Sequence, residues 1–275
     1  MLCAPSSDGD GLLGIPEDVI ERIADRLLEA EDKRAPIDAI TAQYPGITIN
    51  DAYRIQLKLI EKRKRRGEVV IGKKIGLTSK AMQQLLGISE PGYGHLTNRM
   101  VVLEGLPIRI SELIQPMVEA EIAFVLKEDL KGPGVLVSDV VRATEYIMPA
   151  LEIVDHRIER DGRRIEDLVA ENAGTGRVVF SGRMSSIADV DLRYVGLVFE
   201  KNGDVISTAA GAAVLGNPAQ AIAWLANKLS RYGVSLIARE VVISGSLVAA
   251  TKVSLGDSVT ATFDRLGSVT AKFVE

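Results

Sequence analysis

The chain has 275 residues, 47% hydrophobic and 25% charged, and its 33 Lys and Arg against 37 Asp and Glu leave a net charge of −4. That composition supplies a buried core, and the slight acidic balance excludes a surface built broadly for phosphate backbones. One cysteine, Cys3, excludes a disulfide scaffold and a cysteine-built zinc site, and two histidines, His95 and His156, leave little material for a His-rich metal site, so oxygen ligands are expected for any metal here.

Residues 1–14 are rich in Ser, Asp and Gly and predict a disordered tail. They lack the basic and apolar regions of a signal peptide, and no apolar run approaches the roughly 20 residues of a membrane helix. The sequence reads as a soluble cytoplasmic protein. Pro16 suits the first position of a helix whose Val19, Ile20, Ile23, Leu27 and Ala30 recur at helical spacing. A second helix is expected from Asn50 as N-cap, with Ala52, Ile55, Leu59 and Ile60 on one face. Its end, Lys62 to Arg66 before Gly67, reads as a solvated helix terminus rather than a nucleic-acid patch, because cations favour the negative end of the helix dipole. Residues 15–67 are thus a helical portion and 68–275 a β-rich catalytic domain, with no internal repeat and no long linker.

Within 68–275, Val69–Ile71, Glu121–Leu126, Val195–Glu200, Val241–Ile243, Ser258–Phe263 and Val269–Val274 predict strands. Asn202-Gly203 signals a type I′ hairpin, and Leu266-Gly267 turns the last pair. One helix interrupts them, capped by Asn217, with Pro218 first, Ile222, Leu225, Ala226 and Leu229 inward and Gly233 closing it; its Trp224 reads as core or interface. The charged stretch His156 to Asp167 reads as a mobile lid or surface helix, with His156 exposed. The fold class is α+β.

The chemistry concentrates in Met117 to Leu126. Strand alternation projects Glu119 and Glu121 side by side among apolar neighbours, and Glu152 lies in the equally apolar run Ile147 to Val154. Neighbouring buried carboxylates need a cation or a shared proton, and three of them specify a hard divalent ion, Mg²⁺ or Mn²⁺. The alternative is an exposed strand face pairing with lysines. In Val69 to Ser79, Lys73 and Lys74 point to opposite faces of an extended chain, so one can face the interior and bind a carboxylate or move a proton while the other is solvated; two surface lysines are an equal alternative. The Gly-x₄-Gly-Lys-Ser/Thr spacing of a P-loop is absent. His95 follows the loop signal Pro91-Gly92-Tyr93-Gly94, and no serine pairs with either histidine as a hydrolase triad requires.

Together, the Glu-x-Glu strand, Ala150-Leu151-Glu152-Ile153-Val154-Asp155 and Gly72-Lys73-Lys74-Ile75-Gly76-Leu77-Thr78-Ser79 resemble the 2-oxopent-4-enoate hydratase and 4-oxalocrotonate decarboxylase family of the fumarylacetoacetate hydrolase superfamily. The similarity runs from about Ala35 to the C-terminus, through Gly211 to Pro218 and Leu266 to Val269. It implies a mixed β-roll with an N-terminal helical portion, a Mg²⁺ or Mn²⁺ site on Glu119, Glu121 and Glu152, and Lys74 as the active-site lysine. It also implies homo-oligomers, a place in meta-cleavage catabolism of aromatics that allows a neighbouring pathway enzyme as partner, and a small 2-oxo or 2-hydroxydienoic acid substrate. Ser79, Tyr93, Gly94, His95, Leu96, Asp155, Asn172, Arg177 and Ser246 are the candidate substrate contacts.

The reaction implied first is hydration of 2-hydroxypenta-2,4-dienoate, and the alternative is decarboxylation of 2-oxohex-3-enedioate. Ile75 to Gln83 and Trp224 to Asn227 are similar to hydratases; Arg177 and Leu96 to Met100 are similar to decarboxylases. Gly92 matches neither, since hydratases usually carry Asp there and decarboxylases an apolar residue. Arg177 can hold a second carboxylate. A carbon–carbon bond hydrolase would require His95 as base, and a metal-stabilised protein without activity is a further reading.

Overall fold

The computed structural model describes residues 14–79, 83–84 and 88–275; Cys3, the expected tail except Gly14, and Lys80 to Met82 lie outside the described residues. Among those described, α1 spans Glu17–Lys33, α2 Ile40–Gln43 and α3 Ile49–Arg65. Pro16 stands at the N-cap of α1 rather than in its first turn. The α3 helix starts two residues before the expected position because Thr48 and Asp51 form a reciprocal capping box: Asp51 N donates to Thr48 Oγ1 (3.2 Å), and Thr48 N to Asp51 Oδ2 (3.1 Å). The basic run ending α3 is not simply solvated. Arg63 is buried between Glu31 and Glu68, and Lys62 reaches Glu21 (2.7 Å) and Asp25 (2.8 Å) on α1.

The rest of the chain forms β1 (Val70–Gly76), β2 (Gly92–Thr97), β3 (Val101–Leu103), β4 (Ile108–Arg109), β5 (Pro116–Leu126), α4 (Val137–Ala143), β6 (Thr144–Asp155), α5 (Ile165–Ala170) and β7 (Thr175–Phe180). After these come β8 (Gly196–Lys201), β9 (Asp204–Ala210), α6 (Pro218–Ser230), β10 (Val241–Ile243), β11 (Thr251–Lys252), β12 (Ser258–Phe263) and β13 (Gly267–Val274). One mixed sheet runs β2-β1-β10-β5-β6-β7-β3, with β11 also on β5; the other runs β4-β13-β12-β8-β9. Asn202 and Gly203 take positive φ between β8 and β9, as the hairpin signal requires. The side chain of Asn217 caps α6 through Ala219 N (3.0 Å), and Trp224 packs against the core.

β5 separates two environments. Its even residues Val118, Ala120, Ile122, Phe124 and Leu126 join one continuous core with Ile20, Ile55 and Leu225 of the helices. Its odd residues face the other way, where Ala123 meets a smaller cluster of Leu96, Met148, Ala150, Val241 and Ile243. The acids stand on this second face.

The stretch His156 to Asp167 is an anchor rather than a lid. Arg157 is buried; its Nη1 donates to Glu171 O (3.3 Å), its Nη2 to Thr175 O (2.5 Å), and its Nε lies 3.4 Å from Glu31 on α1. Asp167 accepts from Thr41 N and Oγ1 at 3.0 and 2.6 Å. His156 is half-buried, its Nδ1 2.6 Å from Glu171 Oε1. Among the described residues, no helix is long and apolar enough to cross a membrane. Because Arg157 joins the helices to β6 and β7 through buried partners, Arg157→Leu should lower the unfolding free energy by about 3 kcal/mol or more, read from urea denaturation; a loss within experimental error would refute that anchoring role.

Candidate metal centre and active site

β5 and β6 are antiparallel with Glu119 opposite Glu152 and Glu121 opposite Ala150, so the three acids share a face. One carboxylate oxygen of each lies within 4.8 Å of the others. Glu121 and Glu152 are fully buried and Glu119 is half-buried. The neighbouring strand β10 stops at Ile243, and the chain turns at Gly245 with φ +96°. A Cβ there would stand 2.4 Å from Thr78 Oγ1, so only glycine fits. The turn lets Gly245 N donate to Glu121 Oε2 (2.8 Å).

Lys74 comes from β1, in register with Ile243 on one side and Gly94 on the other. Its Nζ lies 3.1 Å from Glu152 Oε2, and the side chain is 3% exposed. Burial works against its charge, but Glu152, Glu119 and Glu121 outweigh it and hold its pKa above the ordinary value. Burial pushes the Glu119 carboxyl up to about 7, with Lys74 opposing and Glu152 adding to the rise. Glu121 is driven well above the usual carboxylate range by burial, then by Glu152 and Glu119. Among the described residues, Glu121 Oε1 and Glu152 Oε1 have no hydrogen-bond partner. Converging carboxylates with unpartnered buried oxygens fit a hard divalent cation, which takes oxygen ligands and relieves their repulsion.

The other candidates divide by face. Gly94 and Leu96 alternate to the side of the acids, and Leu96 sits in the small apolar cluster. Tyr93 and His95 point to the opposite side. Tyr93 stacks on Tyr53 at 4.7 Å, and His95 Nδ1 lies 3.1 Å from Gln56 Oε1. His95 is therefore in a strand, not a loop, and burial with the nearby Lys73 charge holds its pKa down at about 3. That orientation removes it as a base beside the acids. Asn172 grips the edge of β2, Oδ1 accepting from His95 N (2.7 Å) and Nδ2 donating to His95 O (2.9 Å).

Asp155 is an odd number of residues from Glu152 and faces away; its Oδ1 accepts from Ile114 N (2.9 Å) and Gln115 N (2.8 Å). Arg177 registers with Ile153, also off the acid face, and its Nη2 lies 3.6 Å from Glu112. The structure thus does not bring Asp155 or Arg177 to the acids. Ser246 follows the Gly245 turn and donates to Val248 O (2.7 Å), while Ser79, half-buried, follows Thr78. Gly92 is buried in register with Gly76, and a Cβ on it would touch Val169 Cγ2 at an ordinary 3.7 Å. Lys73 is not solvated: it is buried on the opposite face, 2.7 Å from Glu240. Sequence reasoning passed over Gly245, Thr78 and Glu240; a Gly two residues after the short run Val241–Ile243 was the available signal.

A mixed sheet presenting three converging acids and a buried ammonium suits a metal-dependent active site. Comparison with known proteins makes the class specific. Residues 73–274 match the family model for the fumarylacetoacetate hydrolase C-terminal region. A 2-hydroxypent-2,4-dienoate hydratase of Pseudomonas putida is 46% identical over 79% of this chain and 98% of its own, and a 4-oxalocrotonate decarboxylase of the same species 40% identical over 92% and 96%. The solved 4-oxalocrotonate decarboxylase from Pseudomonas putida G7, complexed with magnesium and adipate, superposes with a TM-score of 0.93 at 37% identity, covering 96% of this chain and all of that one. The chain belongs to the fumarylacetoacetate hydrolase family, on the branch of dienoate hydratases and 4-oxalocrotonate decarboxylases. It is a divalent-metal-dependent lyase.

The raised carboxyls give a pH test. Glu119 titrates near 7 in the metal-free fold against 4.5 for a free side chain, so its protonation favours the fold at low pH and that contribution is lost as pH rises through 7. Metal binding requires the deprotonated acids. The Tm increment produced by Mg²⁺ should therefore grow between pH 5 and 8 and be nearly absent in Glu121→Gln; an increment that shrinks with rising pH would contradict the site.

Proposed function

We propose that the chain hydrates 2-hydroxypenta-2,4-dienoate to 4-hydroxy-2-oxopentanoate, a step of meta-cleavage catabolism of aromatics. The observation that carries this choice is the placement of Arg177. The cation suited to a second carboxylate lies off the acid face beside Glu112, whereas Lys74 stands among the acids. That arrangement suits a monocarboxylate. The exposed Val198, Val205 and Ile206 of β8 and β9 support assembly into a homo-oligomer.

Glu119, Glu121 and Glu152 would hold Mg²⁺ or Mn²⁺, which when bound supplies Lewis-acid stabilisation of charge developing on the 2-oxygen of a 2-oxo acid. Lys74 stays an ammonium among the acids, so its Nζ offers a fixed positive charge to the substrate carboxylate and a proton that can be lent and recovered. Ketonisation gives up the 2-hydroxyl proton to the site as C5 takes one, and water then adds its oxygen to C4 while C3 takes a proton and the proton released by the water returns to the site, so the net change is the addition of one water. Leu96, Ala123, Ala150 and Ile243 form an apolar surface beside these groups that limits competing water.

The decarboxylase relatives, one of them complexed with a dicarboxylate, favour a second reading: loss of the distal carboxylate of 2-oxohex-3-enedioate at the same acids. A proton NMR time course with Mg²⁺ and both substrates in one tube separates them. Formation of 4-hydroxy-2-oxopentanoate with the dicarboxylate untouched is the expected result; consumption of the dicarboxylate to an accumulating dienol assigns the decarboxylase. Lys74→Met should lower kcat by about 100-fold or more while the Mg²⁺ increment in Tm persists.

A further inference from the structure

β10 runs antiparallel to β5 with Ile243 opposite Ala123, and Ser244 N continues the regular ladder by donating to Ile122 O (3.1 Å). The next ladder bond runs from Leu247 N to Ala120 O (3.0 Å), one residue later than that register allows. Gly245 and Ser246 therefore stand opposite the single residue Glu121. This is a β-bulge with glycine at its left-handed position. Bulges re-aim groups next to active sites, and this one turns the buried Gly245 N–H onto the acid face, where Glu121 Oε2 accepts it (2.8 Å). The bulge is packed in place from β1. A Cβ on Gly245 would stand 2.4 Å from Thr78 Oγ1 and 3.1 Å from Ile75 O, and Leu77, itself at φ +60°, delivers Thr78 to that contact. Ser246 Oγ closes the other side by donating to Val248 O (2.7 Å).

The amide acts on one oxygen of Glu121 and leaves the other. Oε2 is engaged, whereas Oε1 is buried with no hydrogen-bond partner among the described residues. A hydrogen bond from a fixed amide holds the plane of a carboxylate and competes for the lone pairs of the oxygen it binds. Cations differ in what they ask of such a group. Ca²⁺ takes about six to eight oxygens and often both oxygens of one carboxylate, while Mg²⁺ demands a near-ideal octahedron of single oxygens. We propose that the Gly245 N–H is a positioning group that commits Glu121 to coordination through Oε1 alone, and so biases the site towards Mg²⁺ or Mn²⁺ and against Ca²⁺. The inference rests on the reading that Glu119, Glu121 and Glu152 hold the cation.

The test removes the N–H and keeps the side chains: glycolic acid in place of Gly245, introduced by nonsense suppression, exchanges that amide for an ester. Titration calorimetry of the metal-free chains with Mg²⁺ and with Ca²⁺ gives the ratio of the two dissociation constants. Loss of the N–H should shift this ratio towards Ca²⁺ by about 10-fold, because Glu121 is then free to offer both oxygens. A general loosening of the bulge weakens both ions alike. An unchanged ratio would therefore overturn the proposal and leave the hydrogen bond a purely structural one. Should the ester chain fail to fold, a second measurement uses the natural chain labelled with ¹⁵N-glycine. The Gly245 amide proton should stay downfield and slow to exchange when Mg²⁺ saturates the site. Its move on Mg²⁺ binding to the position of an unbonded amide would show Oε2 released from the N–H, and would overturn the proposal equally. Binding of neither ion by the natural chain is a different result: it would sink the reading of the three acids as ligands, and the inference with it.

Discussion

The mutual repulsion of three carboxylates enclosed on one sheet face is the constraint around which this molecule is arranged. Two unit negative charges 4.8 Å apart repel by roughly 3 kcal/mol at an effective dielectric of about 20, and burial adds a desolvation cost for each. Such a cluster persists only if the surrounding fold imposes it and supplies compensation. The continuous pairing of β5 with β6 imposes it, since Glu119 and Glu152 cannot separate without breaking that ladder. Compensation comes from the Lys74 ammonium and the Gly245 amide, and the unpartnered oxygens of Glu121 and Glu152 define where a cation completes it.

The helices contribute to the site at one remove. Gln56 of α3 donates through Nε2 to Tyr93 O (2.9 Å) and Val169 O (2.8 Å), while its Oε1 meets His95. Asn172 holds the main chain of His95 from the free edge of β2. Because β2 pairs with β1 along six register positions, these contacts fix the strand that presents Lys74. His95 thus belongs to the scaffolding of the lysine, and its neutral ring suits a buried position beside the Lys73 charge.

Much of this was legible in the chain. The period-2 spacing of Glu119 and Glu121, the apolar setting of Glu152 and the want of Cys and His suffice to point to oxygen-ligated metal, and α6 announces itself through Asn217 and Pro218. Other features were masked by local chemistry that tertiary contacts override. β2 reads as a loop because of Gly92 and Gly94, yet Gly94 is required in a strand: a Cβ there would stand 2.6 Å from Asn172 O. β6 is hidden by Pro149, a poor residue for a strand flanked on both sides. The charges from His156 to Asp167 look solvated because their partners, Glu31, Thr41 and Thr175, are distant in sequence or contribute main-chain oxygens. Face assignment was the hardest part: Arg177 and Asp155 follow acidic and glycine-rich motifs closely, but one step of strand alternation removes each from the acids.

The interior position of β5 has a consequence for how the site comes apart. β5 is flanked by β6 on one edge and by β10 and β11 on the other, and its even face lies in the main core. Fraying from an edge strand therefore cannot reach Glu119 or Glu121. The continuous β6 ladder therefore holds Glu119 and Glu121 in place, whereas on the other edge Ala120 O and the main chain of Ile122 meet only the segment from Ser244 to Leu247. The Gly245 turn, by contrast, lies between two strands of three and two residues, and its wall of the site can open at far lower cost while the acids stay in place.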